Sequence, residues 1–245
     1  MDDTEEFNER NRGFVTRMAE DKRLRELTQE WLTAATQYEY SYHFTWLGRP
    51  IIQFPQDIVA TQEIIWRVQP DLIIETGIAR GGSLIFSASM LQLLGGDGLV
   101  VGVDVDIREH NRVEIERHPL AQRIRMVQGS SVDESVLRQV QSYAEGRSRV
   151  LVMLDSNHTH EHVLRELQLY APFVTTDSYL IVYDTIVEQM PDDMYPNRPW
   201  RRGDNPLTAV REFLAQNPDF EVDREVENKL LITVAPGGYL RRTKR

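Results

Sequence analysis

The sequence contains no cysteine. Disulfide bonds, thiolate metal sites and a cysteine nucleophile are therefore excluded, and a reducing compartment is expected. Long apolar runs are also missing, because no stretch approaches the roughly 20 residues that a membrane-spanning helix needs. The first residues, MDDTEEFNERNRGF, are acidic and polar, which is unlike a signal peptide. These features predict a cytoplasmic protein without a membrane partner.

Positive charge is scarce, since 28 lysines and arginines face 38 aspartates and glutamates and give a formal net charge of −10. A general nucleic-acid-binding protein needs a basic face that neutralises phosphates, so we expect no nucleic-acid partner. The 245 residues are 41% hydrophobic and 27% charged. This length and composition are typical of one folded domain with, at most, a short appendage.

Residues 1–45 carry no strand pattern, and their apolar side chains recur at helical spacing among many charges. We predict one or two helices here that pack on a neighbouring element or on a second subunit. An aromatic- and proline-rich segment at 42–58 predicts ordered extended chain, and a helix is expected at 57–68. The apolar positions of the N-terminal helices are Phe14, Met18, Leu24, Leu27, Trp31 and Leu32.

The pattern then alternates between short apolar runs and amphipathic stretches. Continuous apolar strands separated by helices predict an α/β fold with a parallel sheet that is covered on both faces. Two further strands, 220–226 and 230–234, lie only three residues apart and predict an antiparallel hairpin. The parallel strands are predicted at 71–75, 99–105, 124–128, 150–154 and 179–183, and the helices between and after them at 83–94, 133–145, 160–170 and 207–215.

A glycine-rich turn follows the first parallel strand in the segment IIETGIARGGSL. Glycines allow a sharp turn and close approach of a ligand, and the helix behind them offers free N–H groups to an anionic group. Ala79 breaks the dinucleotide fingerprint G-x-G-x-x-G. The acid before the turn suits the ammonium of an amino acid, so a methionine-like ligand fits better than a pyrophosphate, although an ordinary turn without a ligand is the alternative. The candidate cofactor residues here are Glu75, Gly77, Gly81, Gly82 and Ser83.

Two neighbouring strand ends extend this candidate cofactor site. Asp104 ends the second parallel strand, where a carboxylate can accept hydrogen bonds from both hydroxyls of a ribose. Ser130, Ser131 and Asp133 follow the third strand and are candidates to border an adenine. Helix capping is the alternative for each of these residues, because serine and aspartate are ordinary N-cap residues.

Acids also follow the fourth and fifth strands, in LDSNHTHEH and VYDT. Because the carboxyl ends of parallel strands meet at one crevice, Asp155 and Asp184 are expected to share a hard cation such as Mg²⁺. His158 is the candidate general base, since its ordinary pKa lies near neutrality. The alternatives are helix capping by the acids, a structural role for His158, and a zinc site that uses His158 and His162 at i,i+4 spacing.

The segment VEQMPDDMYPNRPWRRGDNPLT comes directly after the fifth strand end. Long connections at the functional edge of a sheet are often lids or substrate-binding loops. Its Tyr195, Trp200, Arg201 and Arg202 are candidates to face a sugar or a carboxylate-bearing substrate, or to contact another subunit.

Four motifs in this order resemble the cephalosporin hydroxylase family, which includes rhamnosyl O-methyltransferases: WLGRPIIQFPQDI, QPDLIIETGIARGGSL, LDSNHTHEHV and APGGYLRR. The resemblance implies a Rossmann-like methyltransferase fold with a mostly parallel seven-stranded sheet, S-adenosylmethionine, Mg²⁺ and a homo-oligomer. It divides the chain into a helical appendage, 1–45, and a methyltransferase domain, 46–245. Gly77, Gly81, Asp104 and Asp155 fall on matching positions, so that Asp155 also counts as a cofactor residue.

The chain departs from its relatives at two positions. Where family members have an acidic pair after the fifth strand, Tyr183 precedes Asp184. The chain is also similar to catechol-type O-methyltransferases, which have Asp-Asn at this point and a lysine base three residues after the first metal acid. Here Thr185 stands in place of the asparagine, as a candidate third metal ligand, and His158 stands in place of the lysine.

These features together predict an S-adenosylmethionine-dependent, Mg²⁺-dependent O-methyltransferase. Its substrate is expected to be a hydroxyl of a natural product or a sugar-bearing small molecule such as a glycoside. One rival is a metal-dependent hydroxylase of an antibiotic scaffold, in which His158, His162 and Asp155 hold iron. The other rival is a non-catalytic scaffold subunit with the same fold.

Overall fold

A computed structural model describes residues 2–244. Three α-helices and a small antiparallel hairpin precede the first strand of the main sheet, and the described residues contain nine α-helices in all. In chain order these elements are α1 (Asp3–Glu20), α2 (Lys22–Thr36), β1 (Phe44–Trp46), β2 (Arg49–Ile51), α3 (Pro55–Val68), β3 (Leu72–Thr76), α4 (Gly82–Leu94), β4 (Leu99–Asp104), α5 (Glu109–Arg117), β5 (Ile124–Gln128), α6 (Glu134–Ala144), β6 (Val150–Leu154), α7 (His160–Tyr170), β7 (Tyr179–Val182), α8 (Pro206–Gln216), β8 (Phe220–Val222), α9 (Arg224–Leu230) and β9 (Tyr239–Arg242).

The main sheet has seven strands in the order β5-β4-β3-β6-β7-β9-β8. The first five in the chain are parallel, and β9 runs antiparallel to both of its neighbours. The predicted mostly parallel, seven-stranded sheet is therefore confirmed. Since the chain leaves β3 toward β4 on one side and returns to β6 on the other, the carboxyl ends of β3 and β6 form a crevice in which such folds bind ligands.

Helices cover both faces of the sheet, as the continuous apolar strands predict. One buried cluster joins the sheet to α3 and α4 through side chains such as Ile64 and Leu84. The other joins it to α6, α7 and α8 through Val140, Leu167 and Phe213. Among residues 2–244, none of the helices combines the length and the apolar character that a bilayer crossing requires.

The predicted strand pair near the C-terminus is present, but its second strand lies elsewhere. The segment predicted as the end of one strand and the start of the next, 224–230, is the helix α9, and the second strand is β9. The side chain of Asp223 accepts hydrogen bonds from the backbone N–H groups of Glu225 and Val226, so it caps a helix. A Cβ on Gly238 would overlap the carbonyl oxygen of Val182, and this close approach starts β9.

A buried aspartate on α3 fixes this C-terminal segment. Asp57 is fully buried and accepts hydrogen bonds from the hydroxyls of Thr233 and Tyr239 and from the backbone N–H of Val234, the last at 2.9 Å. Burial raises the pKa of Asp57 to about 6, although these three hydrogen bonds lower it in part. The carboxylate thus replaces water as the partner of three donors between α3 and the chain that leads into β9.

We expect Asp57→Asn to destabilise the fold, because an amide N–H₂ would face one of these three donors. Leaving a buried donor unpaired costs about 1–3 kcal/mol. The free energy of unfolding in urea measures the loss. Asp97→Asn is the matched control, since the Asp97 side chain is 94% exposed. Equal stability of the two variants would contradict the assignment of Asp57 as a structural anchor.

Candidate active site

The glycine-rich turn after β3 is compressed between two other segments of backbone. Gly77 has φ +91°, and a Cβ there would overlap the backbone carbonyl of Asp155. Gly82 begins α4, and a Cβ there would overlap the backbone of Pro50 in the hairpin. Only glycine fits such approaches. The turn therefore lies directly against the first residue after β6.

Asp104, at the end of β4, holds the turn in place. One oxygen of its carboxylate accepts hydrogen bonds from the backbone N–H groups of Ile78, at 2.8 Å, and Ala79, at 3.1 Å. The other accepts from the N–H of Asp106 at 3.0 Å. A carboxylate offers about four acceptor positions, so these bonds leave room for a ligand hydroxyl. Asp104 also lines the larger cavity of the site.

Glu75, near the end of β3, is a buried acid with a spare oxygen. Its carboxylate accepts a hydrogen bond from the Ser83 hydroxyl on α4, and among the described residues its Oε2 has no hydrogen-bond partner. Burial raises the pKa of Glu75 to about 8, against a smaller lowering by Ser83. A cationic group next to this oxygen would satisfy it.

Two adjoining cavities surround the turn. The smaller, of about 30 Å³, is lined by the turn together with Gln53, Ser83 and Asp155. The larger, of about 400 Å³, is within the size range of sites for small ligands. The structure places the predicted Ser130 and Ser131 in its wall, whereas Asp133 is exposed at the start of α6. Asp155 lines both cavities.

Asp155, His158 and Asp184 come together at the carboxyl ends of β6 and β7. Each offers one ligand atom within 4.8 Å of the other two. Burial raises the pKa of Asp155 well above its ordinary value, and the negative charges of Asp184 and Glu75 raise it further. His158 Nε2 lies 3.6 Å from Asp184 Oδ2. This cluster of acids is electrostatically unfavourable until a cation enters it.

Asp184 occupies the left-handed region of backbone conformation, with φ 54° and ψ 20°. Residues other than glycine are uncommon there, and such strain gathers at functional sites. The conformation turns the chain sharply out of β7 and brings the carboxylate next to His158. The predicted pairing of Asp155 with Asp184 is therefore what the geometry shows.

The structure does not bring Thr185 into this cluster. Thr185 is fully buried, and its hydroxyl donates to the carbonyl oxygen of Pro236 at 2.9 Å. As a correction to the prediction, Thr185 does not neighbour the two acids, because the turn at Asp184 directs its side chain toward the C-terminal segment; the side chain beside the acids is that of His158. The predicted metal residues thus separate into Asp155 and Asp184 on one side and Thr185 on the other.

The three histidines of the segment have separate surroundings. His160 Nδ1 lies 2.8 Å from the Thr208 hydroxyl and its Nε2 3.2 Å from Glu212, both on α8. His162 lines the larger cavity, whereas His158 belongs to the cluster with Asp155 and Asp184. The zinc pair of His158 with His162, and an iron triad built from them, are therefore not assembled in the described residues.

The long segment after β7 covers the acid cluster. The rings of Trp200 and His158 meet edge to face, with centroids 4.6 Å apart, and the Arg198 guanidinium lies 5.1 Å from the centroid of the Trp200 ring. Burial raises the pKa of Tyr195, and the charge of Asp184 raises it further. Arg202 donates to a backbone carbonyl within the segment, at Met190.

Sequence reasoning considered His162 only as an alternative zinc or iron ligand and did not place it at the larger cavity. The structure brings it to the cavity wall beside the fully buried Glu166, at 3.5 Å. A histidine and a glutamate at i,i+4 spacing on α7 were the available signal.

Comparisons with known proteins identify similar sequences and folds. The profile described as Rhamnosyl O-methyltransferase/CmcI matches residues 38–243. The rhamnosyl O-methyltransferase of Mycobacterium tuberculosis is 31% identical over 201 residues, covering 80% of this chain and 77% of the relative. The Mycobacterium leprae enzyme of that name is 29% identical over 200 residues, covering 80% and 82%. A structure described as CmcI with Mg and SAM has a TM-score of 0.59 at 20% identity and covers 83% of this chain and 78% of that one. That likeness confirms the predicted Rossmann-like methyltransferase fold.

Neutralising one acid of the cluster should stabilise the empty protein and remove its response to cations. We expect Asp184→Asn to raise the melting temperature without added metal, because it relieves repulsion with Asp155 and because asparagine tolerates the left-handed conformation. MgCl₂ should raise the melting temperature of the wild-type protein and not that of the variant. Differential scanning fluorimetry with and without MgCl₂ measures both effects.

The control for this experiment is Asp106→Asn, an exposed aspartate beside Arg108. It should keep the wild-type response to MgCl₂. An Asp184→Asn protein that MgCl₂ stabilises as strongly as the wild type would show that no cation binds at this cluster.

Proposed function

Because the chain belongs to the rhamnosyl O-methyltransferase/CmcI family, we propose that it transfers a methyl group from S-adenosylmethionine to a hydroxyl of a small molecule. Membership confirms the resemblance that the four sequence motifs carry. The observation that carries the proposal is the position of Asp155, which lines both cavities of the cofactor turn and also belongs to the acid cluster. A cofactor bound in the cavities and a cation bound at the acid cluster would therefore lie next to each other.

The residues around the turn fit S-adenosylmethionine. The unpartnered Oε2 of Glu75 suits the ammonium of its amino-acid end, and the free N–H groups at the start of α4 suit the carboxylate. Asp104 suits the ribose, and Ser130 and Ser131 line the cavity beyond it. The cofactor supplies an electrophilic methyl group when it is bound.

The acid cluster fits Mg²⁺. Asp155 and Asp184 offer carboxylate oxygens, which this hard cation prefers, and few protein ligands suffice because Mg²⁺ keeps several waters. When bound, the ion supplies positive charge that neutralises the two acids and lowers the pKa of a nearby hydroxyl. The left-handed turn at Asp184 and the position of Asp155 directly after β6 hold these two carboxylates in place.

His158 is placed to accept the proton of the acceptor hydroxyl. Its Nε2 faces Asp184 at 3.6 Å, and the edge-to-face contact with Trp200 fixes the plane of the ring. A carboxylate beside an imidazole stabilises the protonated ring that proton transfer produces. The side chain is 17% exposed, so a substrate can reach it while most solvent is excluded.

The segment above the cluster is proposed as the acceptor-binding surface. Trp200 and Tyr195 offer aromatic faces of the kind that cover the apolar face of a sugar ring, and Arg198 and Arg201 add hydrogen-bond donors. The names of the mycobacterial relatives support a sugar-bearing acceptor such as a glycoside. We propose this class of substrate together with the Mg²⁺ requirement.

Assembly into a homo-oligomer is also proposed. The side chains of Phe7 and Phe14 on α1 are each 53% exposed, and that of Leu27 on α2 is 42% exposed. Several exposed apolar side chains on one pair of helices support a contact with a second subunit. The division at residue 45 and the cytoplasmic location stay predictions.

The hydroxylase alternative loses its geometric basis, because His162 lies apart from the acid cluster. A scaffold without activity would not need the strained Asp184 or the unpartnered Glu75 oxygen. Methyl transfer is therefore the function that the geometry supports best.

A pH dependence of cofactor binding follows from the raised pKa of Glu75. Because this pKa is about 8, the carboxyl is mostly protonated below that pH, and only its ionised form attracts an ammonium. Affinity for S-adenosylhomocysteine should therefore rise between pH 6 and pH 7.5, by at most about tenfold per pH unit. Glu75→Gln should bind more weakly at pH 7.5 and lose this slope. Titration calorimetry at several pH values measures both, and an unchanged slope in the variant would assign it to another group.

Activity and the role of His158 are tested together. With S-adenosylmethionine, Mg²⁺ and a panel of rhamnosides, the wild-type protein should form S-adenosylhomocysteine and an acceptor heavier by one methylene group. His158→Ala should lower kcat by about 10²–10⁴-fold, the usual contribution of a general base. It should retain cofactor binding and the stabilisation by MgCl₂. Product mass spectrometry and calorimetry measure these quantities.

The control here is His110→Ala, an exposed histidine on α5. If His158→Ala abolishes the response to MgCl₂, the residue is a metal ligand rather than the base. If no panel member gains a methyl group although the cofactor binds, the sugar-bearing acceptor class is wrong.

A further inference from the structure

His162, near the start of α7, lies in the wall of the 400 Å³ cavity. Its Nε2 is 3.1 Å from the hydroxyl of Ser131 and 3.2 Å from that of Ser156. Both serines line the same cavity. The imidazole therefore joins the strand end of β5 to the strand end of β6 across one side of the pocket.

A buried carboxylate stands behind this histidine. Glu166 is fully buried, and its Oε1 accepts a hydrogen bond from Ser156 at 2.7 Å and lies 3.5 Å from His162 Nε2. Among the described residues its Oε2 has no hydrogen-bond partner. Burying a carboxylate costs free energy of folding unless the carboxylate is paired. An apolar side chain that only filled this space would avoid that cost. The glutamate instead fixes the orientation of a ring that faces the pocket.

The cavity contains an apolar element as well. Val105, directly after Asp104, lines it and is 71% exposed. An exposed apolar side chain, a planar imidazole and two hydroxyls in one pocket suit a flat heteroaromatic ring with hydrogen-bonding edges. A cofactor whose amino-acid end lies at Glu75 and whose ribose lies at Asp104 extends its base toward this side.

We propose that His162 binds the nucleobase of the cofactor and that Glu166 is its positioning residue. This inference deepens the proposed function and rests on it. The ring contributes a flat face, and the contacts of its Nε2 with Ser131, Ser156 and Glu166 hold the imidazole in the cavity wall.

The experiment compares two ligands that share the base but not the amino-acid end. Affinities for S-adenosylhomocysteine and for adenosine are measured by titration calorimetry, with adenosine as a competitor. His162→Ala should weaken both by the same factor, about 3–10-fold, the value of one hydrogen bond. Glu75→Gln should weaken S-adenosylhomocysteine and leave adenosine unchanged. Glu166→Gln should weaken both in the same direction as His162→Ala.

His160→Ala is the matched control, because His160 lies on the same helix and also contacts a glutamate, Glu212, but outside the cavity. It should leave both affinities unchanged. His162→Gln replaces His162→Ala if the alanine variant does not melt cooperatively, and the same losses are expected from it in weaker form.

The outcomes separate the two levels of the proposal. Wild-type protein that binds neither ligand overturns the proposed function and this inference with it. Wild-type binding of both, with less than about a twofold change in His162→Ala, overturns the inference alone. So does a variant that loses affinity for S-adenosylhomocysteine but not for adenosine.

Discussion

The contact on which the site depends is the one between Gly77 and the backbone of Asp155. It exists because β3 and β6 are neighbours in the sheet and because no Cβ stands between the two segments. Through this contact the glycine-rich turn, which suits a cofactor, lies next to Asp155, which suits a cation. Any larger residue at Gly77 would push these two halves of the site apart, since the overlap is with backbone rather than with a movable side chain.

The electrostatics of the site follow from the same closeness. Glu75, Asp155 and Asp184 end neighbouring strands, and water cannot fully screen the carboxylates of Glu75 and Asp155. Burial raises the pKa of Glu75, and burial together with the negative charges of Asp184 and Glu75 raises that of Asp155, which is a cost to folding. The fold tolerates this cost through apolar packing on both faces of the sheet and through anchors such as Asp57. An ammonium and a metal ion are the two charges that would remove this cost, and the proposed reaction would supply both.

The parts that sequence predicted are those that local pattern determines. Apolar runs predicted the five parallel strands. Asp104, Asp155 and Asp184 could be predicted as site residues because parallel strands place the residues that follow their carboxyl ends at one edge of the sheet. The parts that failed depend on contacts across the chain. Thr185 is directed away by its bond to Pro236, and the segment after Asp223 is helical because that side chain caps it. The sequence does contain the capping residue Asp223 and helix-forming residues after it. The gap of three residues between two apolar runs nevertheless favoured the prediction of a hairpin.

The three histidines show why residue type and spacing do not assign a role. His158, His160 and His162 lie within five positions, yet a carboxylate from a different part of the structure accompanies each: Asp184 after β7, Glu212 on α8 and Glu166 on α7. A histidine gains its function from the group that orients its ring and from what the other side of the ring faces. The first lies in the acid cluster, the second faces a neighbouring helix, and the third faces the 400 Å³ cavity. The arrangement of β6, β7, α7 and α8 separates these surroundings, so the different environments of the three histidines are a property of the tertiary structure.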